Sequence, residues 1–425
     1  MPNGYLHKSV FILVIVTCLF HNTYPQTFTT HPKFFQVGPN PSRIALGDLN
    51  GDNIPDIVTA DRGIMRNPRE ERPANDELSI LLSQGPINYV KLHPTLKTDF
   101  APYDIAIANM DAQKWLDIVV VNFLAKKSQD IQIFNNLKDE NIFTVNSIKI
   151  PDENLKYTQV LDGDELPIFT TPGLTSLVVK DINRDGLNDV ISTGWSCDTI
   201  FIHLGDLKET LKLHSSILMK GGPRALAVSD FNNDSIFDLA ILLFNQDEVV
   251  LMKGNQDLTF ERISSIKTKG RYPNKIITSD INRDKNEDLI VAFRKADSPI
   301  EIIYNTGEPF SYQTSKTLEV SKEIGSINFE ITDFTVADFN SDGFPDIALA
   351  EKLSRTLVVY INNGIDTKKT SELNKFKSET YQLKSGTPRA IDSSDLNGDL
   401  LPEIVLTTTD PDQVIIFVNS YKKRT

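Results

Sequence analysis

The chain has 425 residues, of which 40% are hydrophobic and 24% charged, a balance that fits a globular protein with a substantial core and excludes global disorder. Its formal charge of −13 at pH 7, with no basic face visible in the sequence, argues against a nucleic-acid partner, because phosphate binding needs clustered cations.

At the N-terminus, Lys8 precedes an apolar run from Val10 to Phe20, which the polar stretch from His21 to Gln26 follows. This order predicts a secretory signal peptide over residues 1–26 and hence a secreted, extracellular protein, since the run is short of the ~20 residues a spanning helix needs. No later segment is apolar enough to span a bilayer, so no membrane insertion is expected. Cys18 falls inside the predicted signal, leaving Cys197 as the single thiol of the mature chain. An exported fold without a disulfide needs another brace.

Beyond this segment one pattern recurs seven times: an apolar strand, Asp and Asn at alternating positions, then a second apolar strand. The copies include ALGDLNGDNIPDIVTA from Ala45, VVKDINRDGLNDVIST from Val178 and VADFNSDGFPDIALA from Val336. Their first polar residues are Asp48, Asn109, Asp181, Asp230, Asp280, Asp338 and Asp395, a mean of about 58 residues apart. Further strand-like runs follow each cluster at a similar place, at 78–82, 131–134, 200–204, 249–252, 300–304, 357–361 and 414–418. A weaker fourth strand then leads to a turn such as Gly222-Pro223 or Gly386-Thr387-Pro388.

Helical periodicity is absent and β-branched residues dominate, so the reading is all-β. Seven four-stranded antiparallel units around an axis make a seven-bladed β-propeller, which protects its strand edges. Only two clear strands follow the seventh cluster, while an extra segment, 28–37, precedes the first. Strand counting therefore predicts that the two termini close the ring within one domain, residues 28–420.

Counted from its first Asp, a cluster carries oxygen-bearing side chains at positions 1, 3, 5 and 9, as in Asp181, Asn183, Asp185 and Asp189. Carboxylates gathered so closely repel, and a hard cation that takes 6 to 8 oxygen ligands neutralises them; Ca2+ fits better than Mg2+ or Zn2+. An EF-hand is excluded because position 12 lacks a Glu and an apolar strand follows position 9. The ninth-position acid is expected at a strand start. The alternative for any one cluster is an Asx-rich turn that holds no ion.

The repeats resemble the FG-GAP and VCBS family, whose propellers, including the head of integrin alpha subunits, carry calcium in a D-x-D/N-x-D-G-x-x-D loop on many blades. The resemblance implies up to about six calcium ions. Their ligands are expected to be Asp48, Asn50, Asp52 and Asp56; Asp181, Asn183, Asp185 and Asp189; and Asp230, Asn232, Asp234 and Asp238. In the last three copies they are Asp280, Asn282, Asp284 and Asp288; Asp338, Asn340, Asp342 and Asp346; and Asp395, Asn397, Asp399 and Glu403. The position-6 glycine survives only as Gly186 and Gly343, and the FG and GAP tripeptides are not spelled out. The second copy, Asn109, Asp111, Gln113 and Asp117, keeps two carboxylates and is expected to form the hairpin without a tight metal site.

The remaining connections must emerge on the opposite face. They include the long segment 61–77, where Arg62, Arg66, Arg69 and Arg72 interleave with Glu70 and Glu71, and an insertion at 151–172. Irregular loops on a rigid scaffold are where recognition concentrates, and Trp195, Tyr272 and Arg224 are residue types enriched at contacts. Trp115, inside the degenerate loop, is expected to pack.

No catalytic constellation is legible: His31, His93, His203 and His214 are scattered, and Cys197 has no base nearby in sequence. The expectation is a non-enzymatic adhesion or ligand-binding module for an extracellular protein or glycan. The alternative is a lectin or carbohydrate-active enzyme.

Overall fold

The structure, a computed structural model, describes residues 27–421 except 30–31, 64–74, 112, 126–128, 138–142, 152–154, 156–170, 207–209, 297, 319–328 and 365–375. The predicted signal segment, 1–26, lies outside the described residues. Among the described residues every regular element is a β-strand, and no helix is long and apolar enough to cross a membrane.

The strands form seven antiparallel sheets. The innermost strands are Pro41–Gly47, Pro102–Ala108, Leu174–Lys180, Pro223–Ser229, Arg271–Ser279, Ile331–Ala337 and Thr387–Ser394. Each lies beside the next around the axis, and the last returns to the first, so the ring is closed. The molecule is the seven-bladed propeller that the period of the repeat predicts.

The second and third strands of each blade carry the apolar runs seen in the sequence. They are buried on both faces, as in Asp117–Asn122 and Ile131–Asn136, because a neighbouring blade covers each side. That explains continuous hydrophobic runs where a half-exposed strand would alternate. Outer strands do alternate, as in Phe260–Lys267. Each blade-to-blade seam holds its own apolar cluster, such as Ile290, Ala292 and Ile302 of blade 5 against Phe334, Leu349 and Val358 of blade 6. The core is thus divided into wedges.

Blade 7 is completed by the N-terminus. Strand Lys33–Gln36 pairs antiparallel with Gln413–Phe417, Lys33 facing Ile416 and Gln36 facing Gln413. Further out, Phe28 bridges to Asn419, donates its amide to Tyr381 Oη at 3.0 Å, and sets its ring edge-on to Phe339 at 5.4 Å. The closing segment expected at 28–37 is therefore a short strand plus a separate anchor. Blade 1 differs by one extra short strand, Leu96–Lys97, which pairs with Glu77–Ser83.

Candidate metal loops

In every blade the innermost strand stops just before position 1 and the second strand opens on position 9. The hairpins close on the pairs Gly47 and Asp56, Ala108 and Asp117, Lys180 and Asp189, Ser229 and Asp238, Ser279 and Asp288, Ala337 and Asp346, and Ser394 and Glu403. All seven acidic loops therefore lie at the same end of the ring.

Six loops share one backbone. Position 4 has φ between 53° and 82° and position 6 between 64° and 91°, both left-handed. Position 4 is Gly51, Arg184, Asn233, Arg283, Ser341 or Gly398, and position 6 is Asn53, Gly186, Ser235, Lys285, Gly343 or Leu400. Reading only position 6 for glycine misses half of this requirement, since the glycine of blades 1 and 7 stands at position 4. Side chains at these sites cost on the order of 1 kcal/mol each, so the loop hydrogen bonds must hold the shape.

They do so in the same way each time. In blade 5, Asp280 Oδ1 accepts the Asp284 amide and Oδ2 the Lys285 amide, both at 2.8 Å. Asn282 Oδ1 accepts the Asp284 amide at 2.9 Å, and Asp284 Oδ1 accepts the Asn286 amide at 2.9 Å. The position-6 amide likewise donates to Asp48, Asp181, Asp230, Asp338 and Asp395, although in blade 7 Asp395 Oδ1 accepts the Asn397 and Gly398 amides rather than that of Asp399. Position 2, the residue between these ligand types, is a buried apolar anchor: Leu49, Ile182, Phe231, Ile281, Phe339 and Leu396 are each at most 6% exposed.

Position 9 lies beneath the loop with no exposure in any blade. One carboxylate oxygen accepts the position-2 amide and the other accepts an amide from the third strand. For Asp346 these donors are Phe339 at 2.8 Å and Asn362 at 2.7 Å, and for Asp189 they are Ile182 and Gly205, both at 2.9 Å. Burial pushes this carboxyl up against the relief its amide donors give, and the carboxylates at positions 5 and 1 push it further. It reaches about 6 in Asp56 and Asp238, about 7 in Glu403 and about 8 in Asp288 and Asp346.

Blades are linked through these loops by residues that the sequence pattern did not single out. Asn136, Asn305, Asn362 and Asn419 give their backbone amide to the position-9 acid of their own blade. Their side-chain amides donate to the carbonyls of Leu49, Phe231, Ile281 and Phe339, position 2 of the preceding blade, at 2.8, 3.2, 2.9 and 2.8 Å. The available signal was an Asn at the end of the third strand or, for Asn419, two residues past it.

Blade 2 departs as its sequence implies. Asn109 Nδ2 donates to the Gln113 carbonyl, and Gln113 donates its amide to Asp111 at 2.8 Å, while Lys114 at position 6 is not left-handed. Trp115 packs over Gly51 of the neighbouring loop. Asn233 carries a glycosylation sequon, but its side chain donates to Asn286 of the next blade at 3.2 Å.

The donor set suits a hard cation: side-chain oxygens only, from three acids and one amide, with repulsion among the acids unrelieved in most loops. In blade 4 alone among the described residues does a lysine reach the loop acids, Lys253 standing 3.4 Å from Asp234. No group of three or more acidic, His or Cys side chains among the described residues is already arranged as a metal centre. The carboxylates are turned to the loop amides instead, each keeping lone pairs for an ion.

On the opposite face, most of 61–77 and 151–172 lies outside the described residues. Trp195 stacks near Phe123 at 6.3 Å, Tyr272 is 37% exposed beside Phe244, and Arg224 points to the channel mouth. Cys197 is fully buried, and burial pushes its thiol up to about 12.

Comparison with known proteins agrees with this architecture. The family described as FG-GAP-like repeat matches residues 280–349 and 338–406, which cover the loops of blades 5, 6 and 7. No curated protein matches significantly. Among solved structures, BBS1N in complex with ARL6DN, in a crystal soaked with mercury, is 13% identical, with a TM-score of 0.58 over 92% of this chain and 98% of that one. Virginiamycin B lyase from Staphylococcus aureus is 10% identical, with a TM-score of 0.52 over 91% of this chain and 100% of that one. A protein from Lactobacillus plantarum is 10% identical, with a TM-score of 0.53 over 81% of this chain and 85% of that one. At such identities the likeness is one of fold.

Proposed function

We propose that this seven-bladed propeller with FG-GAP-like repeats is an exported binding module, in which calcium braces one end of the ring and the other end recognises an extracellular protein or glycan. One observation carries the calcium part: six loops hold the same doubly left-handed backbone, with acids at positions 1, 5 and 9 repelling one another. Asp48, Asp181, Asp230, Asp280, Asp338 and Asp395 would hold the ion together with the residues at positions 3, 5 and 9 of their loops. The ion would neutralise the acids and tie the first two strands of each blade together, a role that disulfides fill in other exported proteins.

The binding part is supported by the scaffold. Rigid strands with irregular loops at one end suit recognition, and the related fold of BBS1N is seen in complex with a protein. A carbohydrate-active enzyme is the second reading. Titration of the full chain against glycans, with product analysis, separates the two. Binding without turnover fits the module, and hydrolysis or elimination of the glycan would replace it with the enzyme.

A further inference from the structure

Although the chain is acidic and its sequence shows no basic face, the fold gathers five arginines at one point. Arg43, Arg62, Arg224, Arg294 and Arg389 line a cavity of about 100 Å³ at the mouth of the central channel, at the strand ends opposite the acidic loops. They come from blades 1, 4, 5 and 7, so no local run of sequence announces them.

The cluster closes around Tyr103, which is 5% exposed. The guanidinium carbons of Arg224, Arg62 and Arg43 lie 4.8, 5.0 and 5.7 Å from its ring centre, and Arg224 also donates to its hydroxyl. Burial alone would raise the phenol, but the surrounding guanidiniums outweigh it and bring it down to about 8.

Two of the five charges are answered. Arg43 lies 3.5 Å from Asp104, and Arg294 lies 3.4 Å from Glu330, which Lys352 shares at 2.7 Å. Among the described residues Arg62, Arg224 and Arg389 have no carboxylate in ion-pair contact, and the Nε of each is buried without an acceptor. Desolvated cations with unfilled donors are costly unless an anion completes them.

We infer that the channel mouth binds a multiply charged tetrahedral oxyanion, a phosphate or sulfate group. The three unanswered guanidiniums come from blades 1, 4 and 7 and so approach from different sides of the cavity. A planar carboxylate offers two oxygens in one plane, whereas a tetrahedral group offers oxygens to all three forks and a charge closer to theirs. The cavity is open at its mouth, so a larger group that carries the oxyanion would extend outward through it. This site does not depend on the calcium loops.

Calorimetric titration of the full chain with inorganic phosphate, inorganic sulfate, glucose 6-phosphate and glucose 6-sulfate, at matched ionic strength in chloride, tests the inference. Saturable binding of at least one of them at one per chain is expected, weakened at least tenfold in Arg62→Gln and in Arg389→Gln and unchanged in the exposed-surface variant Lys267→Gln. Tighter binding of an ester identifies an ester ligand, and equal affinity identifies the free anion. Absence of saturable binding by the wild-type chain overturns the inference whether or not the variants fold, as does affinity that survives both arginine substitutions.

Discussion

The side-chain amide of Asn362, at the end of the third strand of blade 6, donates to the carbonyl of Ile281 in the acidic loop of blade 5 at 2.9 Å. The backbone amide of the same residue donates to Asp346, the acid beneath its own loop, at 2.7 Å. One residue thus couples two neighbouring loops. Three other blades repeat the arrangement, so such bonds join the loops of blades 1 and 2 and those of blades 4 to 7.

Replacing Asn362 with Ala removes its bonds to the buried Ile281 carbonyl and to the part-buried Pro345 carbonyl. An unmade buried hydrogen bond costs about 1–3 kcal/mol, and a loss in that range is expected in urea unfolding of the variant. Loss below 0.5 kcal/mol would show that the inter-blade bond contributes little.

Leu400 stands at position 6 of the last loop with φ of 69° and 84% exposure. Its side chain therefore adds strain and no packing. Leu400→Gly should stabilise the protein by about 0.5–1 kcal/mol, the relief of a left-handed residue less the extra freedom glycine has in the unfolded chain. Asn53→Gly, at the equivalent place in blade 1, should gain less, because Asn already tolerates this conformation. Equal or reversed effects in thermal unfolding would contradict the argument.

Asp61 closes the second strand of blade 1, fully buried, accepting from Ser79 Oγ at 2.5 Å, Thr59 Oγ1 at 2.8 Å and the Gly38 amide at 3.2 Å. Burial outweighs these bonds and raises its carboxyl to about 7. A folded value above the unfolded one means that the native state binds the proton more tightly. Its contribution is therefore full below about pH 4 and is lost as pH rises towards 7. Asp61→Asn should flatten this part of the pH dependence between pH 4 and 7, measured as the difference from wild type in urea midpoints. A parallel shift at every pH would refute it.

Export is tested by N-terminal sequencing of the protein recovered from the medium of secreting cells. The mature chain should begin at or close to Thr27, which leaves Phe28 free to dock on blade 7. Recovery of chain that retains Met1 would contradict export through this segment.

Much of the architecture was legible because a propeller writes its period into the sequence. The buried middle strands must be apolar on both faces, and the tight hairpins must be polar, so the seven clusters mark both strand ends and blade count. Even the closing strand followed, since blade 7 lacked one. The loop backbone was only half legible: Gly186 and Gly343 pointed to position 6, but Arg184 and Arg283 give no hint that position 4 is left-handed as well. Of the arginine cluster, the sequence singled out Arg62, in the segment 61–77, and Arg224, as a residue type enriched at contacts. Arg43 and Arg389 escaped it, because like Arg224 they sit in innermost strands and meet the others only when the ring closes.

The central claim, that calcium braces the loop end of the ring, is tested most directly by thermal unfolding of the secreted chain in Ca2+, in Mg2+ and in EDTA, with the bound metal counted on the same sample. Each filled loop should add about 2.7 kcal/mol when calcium is a hundred times its dissociation constant. The account predicts stabilisation selective for calcium, with several ions per chain, one fewer in Asp284→Asn, and no change in count for Asn109→Ala. Identical melting in all three conditions, with no metal bound, would contradict it and reduce the clusters to Asx-rich turns.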